Sequence, residues 1–346
     1  MMTYPSVFVI VLNTNSWKQT IECLGNVFRN DYPNYRVIVC DNNSHDGSLE
    51  YIKAWAEGRS DSVSSANDRL GAPYIPAVDG PVAYEQCTWP CVTQGTEAAQ
   101  GGACLTLIQT GENLGYGGGN NVGLRYAFRS NPATYALVLN SDVEIPSHFL
   151  TKAMNAVLYG PARNASVVGF PAYFHQNPRR LECAYLRDAL TRGPVRVTVL
   201  PEPDEDKLND AMAHGAALTI APSAPVKFFP EEYFLYCEDA DYCRQVRKRG
   251  GRIFIQLDNP VYHRVSEVVG AGSPLQTYYT RRSKLAYCRK YNPPMEYSIV
   301  LARMLYSTLK GCLKSLIRRD WMSAKAYMLS YWHHLQGKKG RTWIST

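Results

Sequence analysis

The chain has 346 residues, of which 45% are hydrophobic and 19% charged. That is enough apolar material for one large core or two ordinary ones, and it excludes a disordered chain. Gly (25) and Pro (21) occur at ordinary frequency, which excludes collagen-like and linker-like chains. The net charge of +7 is uneven. From Tyr278 onward there are 14 Lys and Arg against only Glu296 and Asp320, so a mildly acidic body carries a basic tail. Such a tail suits an anionic surface.

The opening apolar run VFVIVL is six residues long and lacks a basic flank. It predicts a buried strand over 6–12 rather than a secretory signal. No stretch is long and apolar enough for a spanning helix. The ten cysteines are scattered, as reduced thiols of a cytoplasmic protein would be. Only Cys87, Cys91 and Cys104 cluster, and their spacing matches no common zinc pattern.

After the first strand, 17–29 has helical spacing, 35–40 (YRVIVC) reads as a second strand, and 48–55 as a second helix. This β-α-β-α order predicts a parallel sheet with helices on both faces. Residues 58–104 break the rhythm and read as an insertion. The sheet resumes at 105–109 (LTLIQ). A glycine-rich turn, GENLGYGGGNN, then leads to a helix over 121–129. A strand at 135–139 and a helix over 146–158 follow. Residues 165–220 suggest short strands, 238–249 a helix stopped by Gly250-Gly251, and 252–257 a further strand. Beyond 280 the pattern is helical. Leu301, Leu305, Leu309, Leu313 and Leu316 form an apolar stripe, and Arg303, Lys310, Lys314 and Arg318 a basic one.

Ligands of open α/β sheets bind outside the carboxyl ends of the strands. Polar residues stand at four such ends: Asn13 and Thr14, Asp41 and Asn42, Asn113, and Asn140 with Asp142. Each alone reads as a strand-end turn; their convergence points to a site. A carboxylate at Asp142 suits a hard divalent ion bridging phosphate oxygens. Glu238, Asp239 and Asp241 open a helix, where acids either complement the helix dipole or raise one another's proton affinity toward a general base. His263 follows a strand and is an ordinary structural histidine unless a metal-binding acid lies beside it.

Four stretches taken together resemble the inverting family 2 glycosyltransferases of GT-A fold that build bacterial O-antigen and other surface polysaccharides. They are VFVIVLNTNSWKQTIECL with VIVCDNNSHDGS, GENLGYGGGNNVG, LVLNSDVEIP, and FLYCEDADYCRQVRKRGGRIF with VYHRVS. The resemblance implies an α/β, mostly parallel mixed sheet flanked by helices. It implies a catalytic domain over 1–280 and a helical, basic region over 281–346. By it, Asp41 meets the nucleotide base and Asn13 and Thr14 belong to the base and ribose pocket. Asn113 and Asn140 also belong to the donor site. Asp142 and His263 hold Mg2+ or Mn2+, although Asn140 stands where the family's metal motif has its first acid. Asp239 is the base, and Arg282 lies near the acceptor or pyrophosphate. The donor implied is a nucleotide sugar: dTDP-L-rhamnose first, UDP-galactofuranose or a UDP-N-acetylhexosamine as alternatives. The acceptor is a glycan or a lipid-pyrophosphate-linked sugar. The tail would then lie on the anionic inner face of the cytoplasmic membrane; the competing reading packs it on the catalytic domain or on a second copy in a homo-oligomer. No motif suggests nucleic acid. A sugar-phosphate nucleotidyltransferase would need a phosphate loop where NTNSWK stands, and a non-catalytic binding subunit is opposed by the presence of Asp142, Asp239 and His263.

Overall fold

The computed structural model describes residues 4–59, 81–90, 104–189, 192–200, 208, 210–264 and 272–343. Most of the 58–104 insertion, including Cys91, lies outside them.

The apolar runs form the middle of a mixed sheet. Strand β1 (Val7–Asn13) pairs in parallel with β2 (Tyr35–Asp41) on one side and with β5 (Tyr135–Asn140) on the other. Its side chains alternate between two cores. Val7, Val9 and Val11 face helices α1 (Trp17–Val27) and α2 (Ser48–Ala56), while Phe8 and Ile10 face α3 (Gly115–Ser130). A strand buried on both faces needs a continuous hydrophobic run, and VFVIVL is one. Trp17 and Tyr51 stack with centroids 4.1 Å apart and join α1 to α2.

Beyond β2 the sheet continues through β4 (Leu105–Gln109) to β3 (Tyr84–Thr88), an edge strand supplied by the insertion. Helix α4 (Phe149–Tyr159) covers the Val7 face, after the short β6 (Val143–Glu144). On the far side β12 (Ala217–Ile220) runs antiparallel between β5 and β7 (Val167–Gly169), and β13 (Ile253–Ile255) closes the edge. A second sheet holds β8 (Ala172–Phe174), β9 (Asn177–Cys183) and β14 (Val261–His263) beside β6. Strands β10 (Tyr185–Ala189) and β11 (Gly193–Val197) form a hairpin. The GT-A architecture expected from the resemblance is present: a mixed sheet between helices, followed by C-terminal helices.

Two boundaries differ from expectation. The glycine-rich stretch is itself the first turns of α3, not a turn preceding a helix at 121. Glycines cost helix propensity, but here they allow close packing: a Cβ on Gly123 would meet Ile10 Cγ2 at 2.6 Å. The expected division at 280/281 falls inside α6 (Pro274–Tyr291). This helix starts on a Ser273 cap, whose Oγ accepts the Gln276 N–H at 3.1 Å. It sends Leu285, Tyr287 and Cys288 into the main core.

Helix α5 (Glu238–Lys248) precedes β13, and α7 (Pro294–Ile317) and α8 (Trp321–Leu335) follow α6. Helix α8 packs against α6, and α7 against both. Arg281 of α6 donates to Ser307 Oγ at 3.0 Å and to the Met304 carbonyl at 3.1 Å on α7. Among the described residues no helix is long and apolar enough to cross a membrane.

Candidate active site

The carboxyl ends of β1, β2 and β5 open into a cavity of about 730 Å³, within the usual ~300–1,000 Å³ of small-molecule sites. Helix α3 begins at the same place, and the Gly115 N–H at its start is taken by Asn113 Oδ1 at 3.0 Å. Thr14, Asn113 and Asn140, which the resemblance assigns to the donor site, line it. Asn42 lines it too. Its Oδ1 accepts the Leu114 N–H at 2.9 Å, and its Nδ2 donates to Asn113 Oδ1 at 3.1 Å, which ties the end of β2 to the start of α3.

Asn13 and Asp41 stand behind this wall. The register of β1 and β2 sets them opposite each other, and Asn13 Nδ2 donates to Asp41 Oδ1 at 2.7 Å. Asp41 Oδ2 accepts the Ser44 N–H at 3.1 Å, and Asn13 Oδ1 accepts from Thr20 Oγ1 at 2.8 Å. Both side chains are buried and spent on each other and on the loops. In this arrangement they support the cavity wall instead of lining it.

At the end of β5, Asp142 meets His263 of β14. The pairing of β14 with β6 sets His263 opposite Val143. Its Nε2 lies 3.1 Å from Asp142 Oδ1, and its Nδ1 lies 2.7 Å from Glu182 Oε2 on β9. Arg196 of β11 pairs with the other oxygen of Glu182. Burial opposes a charge on the imidazole, but hydrogen bonds to Asp142 and Glu182 outweigh it and raise its pKa to about 9. The pair holds a proton between an imidazole and a carboxylate. With Nδ1–H directed at Glu182, Nε2 faces Asp142, and these two would be the residues to hold a divalent ion, as in carboxylate–histidine–metal arrangements. Among the described residues no three His, Cys, Asp or Glu side chains converge on a metal, so the remaining ligands would be phosphate oxygens and water.

Asp239 lines the same cavity at the start of α5. Its Oδ2 accepts the Gly215 N–H at 3.0 Å and its Oδ1 accepts the Ala240 N–H at 2.8 Å. Burial raises its pKa, and those two N–H groups and the charge of Arg196 pull it back. Glu238 is deeper, and its Oε2 has no hydrogen-bond partner among the described residues. Burial, then the charge of Asp239, push its pKa well above the ordinary range. Of the two neighbouring carboxyls, Glu238 is pushed up without a hydrogen bond to offset it at Oε2, while Asp239 is braced by two N–H donors. Asp241, the third acid, is fully buried and accepts from Tyr233 Oη and Lys290 Nζ, both at 2.6 Å. It bolts α5 to α6.

The segment 234–237 leading into α5 forms one wall. Phe234, Tyr236 and Cys237 all have left-handed backbone, with φ of 70°, 66° and 71°. Non-glycine residues in that region cost roughly 1–3 kcal/mol each and persist only where neighbours hold them. Tyr116 N–H donates to the Phe234 carbonyl at 2.8 Å and Ser283 Oγ to the Leu235 carbonyl at 2.7 Å.

Arg282 belongs to this support and not to the cavity lining. It is buried, and donates to the Tyr233 carbonyl at 2.7 Å and the Gly340 carbonyl at 2.8 Å. A guanidinium in YYTRRS pairs with backbone here because α6 turns that position inward, and the cavity receives Thr280 and Lys284 instead. Glu182 and His214 were not singled out from the sequence; both lie in the irregular stretch 165–220, where no local pattern marks them. His214 lines the cavity. Burial, then the charge of Arg196, lower its pKa to about 3, so it is a neutral hydrogen-bonding group.

Residues 6–68 match the Glycosyl transferase family 2 family. The low-salt glycan biosynthesis hexosyltransferase Agl10 of Haloferax volcanii is 24% identical over 227 residues, spanning 63% of this chain and 68% of that protein. The mannosyltransferase PcManGT of Pyrobaculum calidifontis, solved with GDP-Man and Mn2+, superposes with a TM-score of 0.52 at 16% identity, over 97% of this chain and 89% of that one. TarS 1–349 of S. aureus, solved with UDP, gives 0.47 at 16% identity, over 98% of this chain and 94% of that one. The chain thus has the GT-A fold, and its match over 6–68 and its hexosyltransferase relative support a glycosyltransferase.

Proposed function

We propose that this chain is an inverting, divalent-metal-dependent hexosyltransferase that moves a sugar from a nucleotide donor to an acceptor hydroxyl in cell-surface glycan synthesis. The observation that carries the reading is the meeting, in one cavity, of the Asp142–His263 pair with a carboxylate, Asp239, held by two backbone N–H groups. The hexosyltransferase relative supports the substrate class. Mn2+ in a structure of the same fold supports the metal, with Mg2+ the other ion suited to such ligands.

When bound, the divalent ion at Asp142 and His263 supplies charge neutralisation for the leaving diphosphate. The chain's own residues do the rest. Asp239 takes the proton of the acceptor hydroxyl. The acceptor oxygen bonds to the anomeric carbon, the bond from that carbon to the phosphate oxygen breaks, and its electron pair leaves with the nucleoside diphosphate. Attack from the face opposite the leaving group inverts the configuration. No enzyme nucleophile is needed.

We take dTDP-L-rhamnose as the donor on the NLGYGGGNN and NSD stretches, with UDP-galactofuranose and UDP-N-acetylhexosamines as the competing donors. We place the protein at the inner face of the cytoplasmic membrane on the strength of its C-terminal helices. Leu305, Leu309 and Leu313 of α7 and Trp321 and Trp332 of α8 are exposed, among exposed Lys310, Lys314 and Arg318. Apolar and basic groups interleaved on helices suit an anionic lipid surface.

Two measurements test the catalytic reading. Thermal shifts with dTDP, UDP and GDP, each with and without Mn2+, should show one metal-dependent stabilisation. Asp239→Asn should retain that shift and lose transfer; turnover at the wild-type rate would overturn the assignment of the base.

A further inference from the structure

Asp142 stands just past β5 and Asp239 at the start of α5, and one short segment touches both elements. The Ala216 carbonyl accepts the N–H of Asn140, the last residue of β5, at 3.0 Å. Its neighbour Gly215 donates its N–H to Asp239 Oδ2, also at 3.0 Å. The Gly215–Ala216 unit, which leads into β12, therefore sets where the base stands relative to the end of β5.

This unit is held from α3. Tyr116 Oη donates to the Gly215 carbonyl at 2.5 Å. The same residue grips the other flank of the base, because its N–H donates to the Phe234 carbonyl at 2.8 Å. Its ring lines the cavity and meets Phe229 edge-on, with centroids 5.9 Å apart. Burial, then the charges of Glu238, Asp239 and Asp142, push the phenol pKa well above its ordinary value, so Oη keeps its proton and stays a donor. The fit is tight: a Cβ on Gly215 would come within 3.2 Å of both Asp239 Oδ2 and Tyr116 Oη. Buried hydroxyls are ordinarily hydrogen-bonded. This one is singled out by its acceptor, the residue that braces the carboxylate.

Resting on Asp239 as the transfer base, we propose that Tyr116 is its positioning residue: through the Gly215 carbonyl its hydroxyl fixes the peptide that holds Asp239 in place. Without that bond Gly215 is free to turn, and Asp239 loses a donor that favours its charged form. Among the described residues the other ionisable groups that interact with Asp239 are Glu238 and Cys243 on α5, Cys237 before it, Cys183 on β9 and Arg196 on β11. All of them are retained in the variants that test the proposal.

Full-length wild type, Tyr116→Phe and Gly215→Ala, each carrying aspartate labelled at its carboxyl carbon, are titrated with acid by NMR. The Asp239 signal is the one missing from Asp239→Asn. Tyr116→Phe removes only the hydroxyl, and Gly215→Ala wedges a methyl between the phenol and the carboxylate. Both should raise the Asp239 midpoint by about half a pH unit or more, a change of about three-fold in proton affinity. Release of nucleoside diphosphate from dTDP-L-rhamnose, UDP-galactofuranose or UDP-N-acetylglucosamine with Mn2+ gives the second readout. There kcat should fall about ten-fold while the donor KM stays within about two-fold. A Tyr116→Phe variant with the wild-type midpoint, whatever its stability, would reduce Tyr116 to core packing and overturn the proposal. The midpoint is read without turnover, so the two readings fail separately. A shifted midpoint together with wild-type turnover in Asp239→Asn would remove Asp239 as the base, and with it the positioning role.

Discussion

Glu182 and His263 are 81 residues apart in the chain and 2.7 Å apart in space. The contact fixes which imidazole nitrogen faces Asp142, because a carboxylate at Nδ1 holds the proton there and leaves the Nε2 lone pair for a cation. Replacing Glu182 by Gln keeps the volume and removes the charge that makes the imidazole a good ligand. Second-sphere losses of this kind cost roughly 10–100-fold in metal affinity. Titration of Mn2+ into the variant should show a loss of that size, and an unchanged affinity would remove Glu182 from the site.

The acid limb of the rate profile should report Asp239. A base works only when ionised, so turnover falls as pH drops through its pKa. Burial raises that pKa above the ordinary carboxylate value. With saturating substrates, the kcat profile should therefore turn down above the range of a solvent-exposed aspartate. A limb at or below that range would contradict the buried base.

Gly115 lies where the start of α3 meets the strained 234–237 segment. Its φ is +73°, and a Cβ there would overlap the carbonyl oxygen of Phe234. That carbonyl is the acceptor for Tyr116 N–H, so it cannot simply move away. Gly115→Ala should destabilise by about 2 kcal/mol or more, and should lower kcat beyond what lost stability explains. Chemical denaturation and steady-state rates on the same preparation check both halves; wild-type stability would show that the segment yields freely.

The exposed leucines of α7 should govern lipid binding. Leu309→Glu with Leu313→Glu leaves the inward face of the helix intact and puts two charges in the exposed stripe. Co-sedimentation with vesicles of phosphatidylcholine and phosphatidylglycerol should weaken by about ten-fold or more, with nucleotide binding unaffected. Undiminished sedimentation would defeat the membrane placement.

Much of this architecture was legible in the sequence because its cause is local. VFVIVL and YALVL are buried on both faces, so their hydrophobicity announces them. The polar strand ends that follow announce a ligand edge, and Asp142, Asp239 and His263 do meet in one cavity. What could not be read depends on register and packing. Asn13 and Asp41 face each other only because β1 and β2 pair at that offset, and this turns two expected lining residues into buried supports. Arg282 and Lys284 are two residues apart on one helix, and only the rotation of α6 decides which faces the cavity. Glu182 lies in a strand of seven residues whose first four are exposed, so its own sequence neighbourhood carries no mark of the site.

The attachment of residues 340–343 has a consequence for how the enzyme comes into being. Arg282 reaches Gly340 and Thr342 with the same guanidinium that holds the Tyr233 carbonyl, and Tyr279 Oη accepts the N–H groups of Thr342 and Trp343. The wall beside Asp239 is thus fastened by residues a hundred positions downstream. During synthesis the nucleotide-binding strands can pair early, but the loop that presents the base is not clamped until the 340s have left the ribosome. Chains terminated before the 340s should accumulate as donor-binding species that turn over poorly, and a bulky insertion at the 340s should slow the enzyme.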